Sequence, residues 1–341
     1  IAMKKIFFIL ITFIISVPLF GQWELISPGK KASVFGASNI NSNRIYYGYN
    51  SFYFSTDYGL NWMYDGYGIP TEAGVPYMTV LSNSVYWGDF GAGYTSSDFY
   101  CLGGWAETGT NHAWAEIVTN LSVAPNQFAV VDTFTYITTS KGIWRVRHPN
   151  YLWQRYGILD SATYSIVNKN NTLFVGYTTQ GIKMSTDKGV SWSFRNGGLT
   201  LGTVKQISRA GNYLYAGNTT GKVFKTTNDG INWADASPGI AVEIRNIYCV
   251  DSMNVFINTT KDIYRTTNGG VNWVLFNEGI PGSSTLMGAY RGFIKFGNYV
   301  FAGFSDGIYR RLLSTPTGLN PNESVAENYS LSQNYPNPFN P

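Results

Sequence analysis

One stretch of this chain concentrates the side chains that recognise polar ligands. Between Tyr86 and Glu116 stand Tyr86, Trp87, Tyr94, Tyr100, Trp105 and Trp114, interleaved with Asp89, Asp98, Glu107, His112 and Glu116. Aromatic rings stack on sugars or peptide side chains, while neighbouring carboxylates and amides fix orientation through hydrogen bonds. Trp87, Tyr94, Trp105 and Trp114 are therefore the candidate ligand-binding residues. Trp105 and Trp114 sit in the Gly-rich segment CLGGWAETGTNHAWAE, Cys101 to Glu116. The alternative is an ordinary sheet core with an extended hairpin, and the sequence leaves both readings open.

Catalytic and metal chemistry has no comparable signature. His112 and His148 are the only histidines, with no Cys or carboxylate at ligand spacing around them. No Gly-rich phosphate loop and no Gly-x-Ser-x-Gly elbow occurs. No catalytic residue, no metal and no cofactor is expected. The formal charge of +4 falls to +2 without Lys4 and Lys5, which makes no case for nucleic acid.

The elements that position such residues follow from a repeat. STDYGLNW (Ser55 to Trp62), STDKGVSW (Ser185 to Trp192), TTNDGINW (Thr226 to Trp233) and TTNGGVNW (Thr266 to Trp273) are four copies of one motif. The last three start 41 and 40 residues apart, and the first lies 130 residues before the second, about three periods. In each, Asp57, Asp187, Asn228 or Asn268 suits hydrogen bonding to backbone N–H groups in a tight turn. Gly59, Gly189, Gly230 or Gly270 can take positive φ there. Trp62, Trp192, Trp233 or Trp273 is expected to fold back over the turn and bury against the sheet. These positions are read as turns and not as active sites, since Asn cannot do acid–base work.

A period near 40 with short Tyr/Phe/Val-rich strands predicts an all-β radial repeat, a β-propeller. Segments from Asn171, Asn212, Asn254 and Asn298 align as strand, Thr/Gly/Ser loop and second strand. Those from Asp132 and Asn43 are relatives, and residues 78–118 fill one further period. The expected count is seven blades, against six or eight. Gly68, Gly198, Gly239 and Gly279 each follow a motif Trp by six residues, and Gly29 follows Trp23 likewise. WELISPG resembles WADASPG, so a strand at about Trp23 to Ser27 is expected to complete the last blade and close the ring. Cys101 and Cys249 then fall in blades that are not neighbours, and no disulfide between them is expected.

The motif resembles the Asp-box, or BNR-like, repeat of sialidases, sortilin-type receptors and many bacterial propellers. That resemblance spans about residues 22–313 and implies architecture, with the boxes on the outer rim, far more than activity. A sialidase would bring three Arg from different blades to a substrate carboxylate, beside a Tyr–Glu pair and an Asp acid. Here Trp23 to Asn43 contains no Arg, Arg44 is followed by Ile45 and Tyr46, and Arg145, Arg209, Arg245 and Arg291 come from different blades. The xyloglucanase family shares the repeat but pairs two propellers around a cleft.

The ends carry addresses. Lys4 and Lys5 precede an apolar run, Ile6 to Leu19, with Gly21 before Gln22, which reads residues 1–21 as a secretory signal peptide. Met3 is the expected start, and no later segment is apolar enough for a membrane span. Residues 314–330 read as a polar linker. LSQNYPNPFNP (Leu331 to Pro341) resembles the opening of a type A C-terminal sorting domain, which directs cargo to the type IX secretion machinery. The chain is expected to stop inside that domain. A protein secreted from, or held at the surface of, a Gram-negative bacterium is implied. Aromatics at 16%, charged residues at 13% and 37 Gly agree with many strands and turns.

The functional expectation is an exported, non-catalytic propeller (residues 22–313) binding a glycan, peptide or protein partner. Inner loops at Tyr177, Asn218, Asn258, Phe304 and Thr138, with Lys141, Lys222 and Lys261, are the other candidate surface. The alternatives are a glycoside hydrolase or lyase, sialidase-like, and an assembly factor or scaffold like the photosystem assembly propellers that share the repeat.

Overall fold

The second strand of each repeat decides how the chain must pack. FTYITT, TLFVGY, YLYAGN, VFIN and YVFAG are buried along nearly their whole length instead of on alternate residues. A strand apolar on both faces needs a layer on each side. Third strands are less completely buried, as in GIKMS, where Gly181, Ile182 and Ser185 are buried and Lys183 and Met184 half-buried.

The computed structural model describes residues 22–313 except 33, 38–43, 50–51, 65–76, 82–83, 89–96, 103–114, 122–124, 148–149, 160, 179, 201, 260–261 and 283–291. Between residues 77 and 125 it describes strand backbones only. Among these residues the strands form seven four-stranded antiparallel sheets. Six use consecutive strands, spanning residues 34–64, 77–121, 125–159, 163–194, 204–235 and 246–275. The last combines Phe293–Phe296, Tyr299–Gly303 and Gly307–Leu312 with an outer strand, Glu24–Pro28, from the other end of the chain. Glu24 stands opposite Arg310 and Pro28 opposite Gly307, with an irregularity between Leu25 and Ser27. This strand starts one residue later than the sequence suggested, because Trp23 is held in the core.

Neighbouring sheets touch through their first strands. Val34–Ala37 lies beside Tyr77–Leu81, which lies beside Pro125–Val131, followed by Thr163–Lys169, Val204–Ala210 and Asn246–Cys249. Phe293–Phe296 lies beside Val34–Ala37. Each apolar cluster bridges two sheets: Val131, Tyr136 and Ile143 meet Ile166, Leu173 and Val175, and Phe174 and Ile182 meet Val204, Leu214 and Phe224. Gly176 and Gly303 lie at or next to the ends of second strands where the next sheet's chain arrives, and a Cβ there would run into Val204 or Ala32. Cys249 is a free thiol. Among the described residues no helix is long and apolar enough to cross a membrane.

Candidate functional site

The four repeat turns share one hydrogen-bond set. Ser55, Ser185, Thr226 and Thr266 each donate a hydroxyl to the Asp or Asn two residues on, at 2.8, 2.7, 2.9 and 2.9 Å. The same hydroxyl oxygens accept the N–H of Gly59, Gly189, Gly230 and Gly270. The acid or amide oxygen then accepts the backbone N–H four residues later, from Asn61, Ser191, Asn232 or Asn272. Gly189 has φ +85° and Lys188 before it φ +59°, so the turn uses two left-handed residues in succession. Asp and Asn are equivalent in this role because only an acceptor oxygen is required.

Hydrogen bonds from the Ser191 side chain and amide hold the exposed Asp187 carboxyl down to about 2. A depressed folded-state pKa means the stabilisation is complete above the unfolded value near 3.9 and is lost as pH falls towards 2. Asp187→Asn, which keeps an acceptor oxygen but not the charge, is therefore expected to lower the thermal melt at pH 7 by less than Asp187→Ala does and to flatten its decline between pH 4 and 2. A pH 7 melt lowered as far as that of Asp187→Ala would show that the charge itself is needed.

The motif tryptophans do lie over their own turns, Trp62 beside Gly59, Trp192 beside Gly189 and Trp233 beside Gly230, and most of them also reach the preceding sheet. Trp233 Nε1 donates to Arg195 O (2.8 Å) and Trp273 Nε1 to Ala236 O (2.8 Å), both just past the outer strand of the preceding sheet. Trp233 packs with Phe174 and Ile182 of that sheet as well as Leu214 and Phe224 of its own, so it joins two sheets while lying over its own turn. Trp192 is the exception, since its Nε1 donates to Gly189 O within its own turn (2.9 Å).

Trp23, which no motif precedes, has the same contacts. Its Nε1 donates to Phe276 O (2.6 Å) and its backbone N–H to Glu278 O (2.8 Å). The counterpart is the Trp233 backbone N–H bonded to Gly197 O (2.6 Å). The Gly six residues after a motif Trp is explained at two positions. A Cβ on Gly198 would collide with Trp233 O, and one on Gly279 with Trp23 O.

A second polar constellation runs across the starts of four adjacent first strands. Asn126 donates through Nδ2 to Thr163 O (2.7 Å), and Lys205 Nζ stands 5.7 Å from the Tyr164 ring centroid. Lys205 pairs with Glu243 (2.7 Å), and Arg245 Nε lies 3.8 Å from the same carboxylate, buried and without a hydrogen bond. Two cations face one anion. Asn126, Tyr164, Lys205 and Gln206 line a small cavity of about 50 Å³. Apart from Arg245, weighed as one of four scattered arginines, these residues were missed in the sequence. The signal was available: Tyr164, Lys205 and Arg245 recur at 41 and 40 residues, the period of the turns.

No family model matches the sequence, and no protein of curated function matches it. Solved structures do. YCF48 bound to D1 peptide superposes with a TM-score of 0.66 at 14% identity, covering 88% of this chain and 97% of that one. The GH74 xyloglucanase from Xanthomonas campestris gives 0.62 at 15% identity, over 86% of this chain and 54% of the enzyme. PorZ, a surface component of the type-IX secretion system of Porphyromonas gingivalis, gives 0.60 at 13%, over 86% of this chain and 38% of PorZ. The chain is a β-propeller. At these identities the likeness concerns the fold alone, and the chain spans only about half of the xyloglucanase and less of PorZ.

In a propeller the blades fan out from a central channel, so the first strands, through which the blades touch, are innermost. The Asn126–Tyr164–Lys205–Glu243–Arg245 strip therefore lies at one mouth of the channel, and the repeat turns lie between third and fourth strands, away from it. Arg145, Arg209 and Arg245 do not converge. Arg145 donates to Lys188 O (3.1 Å) in a repeat turn, and Arg209 to Asn168 O (3.0 Å) and Asn170 at a first hairpin. The inner loops use their polar groups internally: Asn218 Oδ1 accepts from Thr220 and Lys222, Thr139 from Lys141, and Thr259 from Asp262. Lys222 pairs with Asp235 (2.9 Å). Asp57, Asp187, Asp235 and Asp251 are all shifted to lower pKa by hydrogen bonds that outweigh any burial, the direction opposite to that of a general acid. Among the described residues no group of His, Cys, Asp and Glu is placed to hold a metal ion.

Trp87 lies in the strand Ser84–Gly88, in register with Met78 on one side and Tyr100 on the other. Tyr94, Trp105 and Trp114, like Lys261, Arg291, His112 and His148, lie outside the described residues.

Proposed function

We propose that this chain is an exported, non-catalytic Asp-box propeller that holds a glycan, peptide or protein partner at the channel mouth. The observation that carries the reading is the strip in which Lys205 and Arg245 flank a single carboxylate, Glu243, with one excess positive charge beside Tyr164 and Asn126. Such a strip offers orienting hydrogen bonds and an anion contact without a pair of facing acids. The similarity to a propeller solved with a peptide bound, YCF48, supports a binding role. Trp87, Tyr94, Trp105 and Trp114 of the second blade would extend the surface.

The seven sheets, the pairing of Glu24–Pro28 with Gly307–Leu312 and the Trp23 contacts support a seven-bladed ring closed by the N-terminal strand. The signal-peptide pattern of residues 1–21, the linker 314–330 and the NYPNPFNP segment within residues 331–341 support export through the type IX machinery to the surface of a Gram-negative bacterium. Similarity to PorZ and to the extracellular domain of BT4673 from B. thetaiotaomicron is consistent with that location.

The test is an array of polysaccharides and peptides probed with the full chain, beside Lys205→Gln/Arg245→Gln, Trp105→Ala and Trp114→Ala. Binding without released products, weakened at least tenfold in the double variant, is the expected result. Hydrolysed or eliminated products would establish the enzyme reading instead. Binding that ignores Lys205 and Arg245 but disappears in the tryptophan variants would move the site to the second blade.

A further inference from the structure

Between the blade of residues 125–159 and that of residues 163–194 the regular seam is interrupted. The first of these blades lacks a repeat turn, and its outer strand Asn150–Leu159 runs ten residues, against two for Ser193–Phe194 in its neighbour. Gly157, at φ +73°, passes so close to Trp192 that a Cβ would strike the indole Nε1 and Gly189 O. Trp192 accordingly turns its N–H onto Gly189 O, where Trp233 and Trp273 reach the preceding blade. The seam opens into a cleft of about 430 Å³ lined by Gly157, Ser161, Tyr177, Gln180, Lys183 and Trp192, together with Val190. Ligand sites commonly measure about 300–1,000 Å³.

Lys183 is the unusual group in this cleft. Its ammonium is held between two rings, 4.9 Å from the Tyr177 centroid and 4.7 Å from that of Phe194. Among the described residues it has no carboxylate partner and no hydrogen bond, although it is half-buried. Tyr177, which lines the cleft, is itself almost fully buried, and its hydroxyl has no hydrogen-bond partner. A partly desolvated cation fixed by aromatic faces and left without a counter-ion is arranged to receive an anion.

We propose that this cleft binds the carboxylate-bearing ring of an acidic sugar, a uronic-acid residue. Lys183 pairs with the carboxylate, Trp192 and Tyr177 supply apolar walls, and Ser161 and Gln180 answer the ring hydroxyls. A peptide would be read along a free strand edge over several residues, whereas these groups surround one compact space. The site is separate from the channel mouth and does not depend on the reading given there.

The test is titration of the full chain with D-glucuronate and with a short oligogalacturonate, followed by calorimetry. Glucose and an acetylated glutamate peptide serve as the neutral and the peptidic probe. Saturable binding of the uronates, falling at least tenfold in Lys183→Met and severalfold in Gln180→Ala but unchanged in Lys295→Gln, an exposed lysine of the strand Phe293–Phe296, is the expected result. Absence of uronate binding, glucose binding as tightly as glucuronate, or Lys183→Met binding like the parent while melting at the same temperature would each overturn the proposal. Tighter binding of the glutamate peptide would replace the sugar with a peptide ligand and overturn it as well.

Discussion

Trp23→Ala is expected to destabilise the protein by about 3–5 kcal/mol, as other large core truncations do. The ring is only 3% exposed and lies edge-on to both Phe276 and Phe293, 5.9 Å from each. It belongs to a cluster holding Phe256, Ile263, Val300 and Tyr309, so it joins the sheet of residues 246–275 to the last sheet. Truncation would also leave Phe276 O without its indole donor. Leu25, two residues on and 41% exposed, is the internal control and should tolerate Ala with little change. Urea unfolding of the two variants decides the matter. A Trp23→Ala midpoint no lower than that of Leu25→Ala would mean that the N-terminal segment is not part of the cooperative unit. Deleting residues 22–28 goes further, because it bares the strand Gly307–Leu312 as a sheet edge. Such edges pair with other chains, and aggregation at micromolar concentration is expected.

The second large effect separates two tryptophans that the motif makes look alike. Trp233→Ala is expected to cost about 3–5 kcal/mol, since the ring is 5% exposed and its N–H is used on the preceding blade. Trp192 is half-buried, borders the open cleft and bonds only its own turn. It buries less apolar area, so Trp192→Ala should cost less by about 1 kcal/mol or more. Equal losses in parallel urea titrations would show that the turn, and not the seam between blades, sets the contribution of the ring.

The β-propeller fold was legible because one repeat encodes one local structure many times. The Ser/Thr hydroxyl, the Asp or Asn acceptor and the positive-φ Gly all act within seven residues, as the contacts from Ser185 to Ser191 show. Local chemistry of that kind can be read from spacing alone. The Gly six residues past each motif Trp was visible as a pattern too, but its reason was not. Gly198 is small because Trp233 of the next blade passes there, and that contact exists only after the blades are side by side.

The candidate sites were much less legible for the same reason. Tyr164, Lys205 and Arg245 come from three blades, and nothing within any one repeat marks them; their shared period shows only that they occupy equivalent places. Whether Lys205 meets Glu243, and whether Lys183 lacks an acid, depends on how neighbouring blades are set against each other. The sequence by itself determined the repeat, its turns and the all-β architecture, because those rest on interactions between residues close along the chain. Only the tertiary structure decided where each tryptophan buries, which charges face one another at the channel mouth and where a seam stays open, because those are contacts between distant segments whose energies appear only once both surfaces have formed.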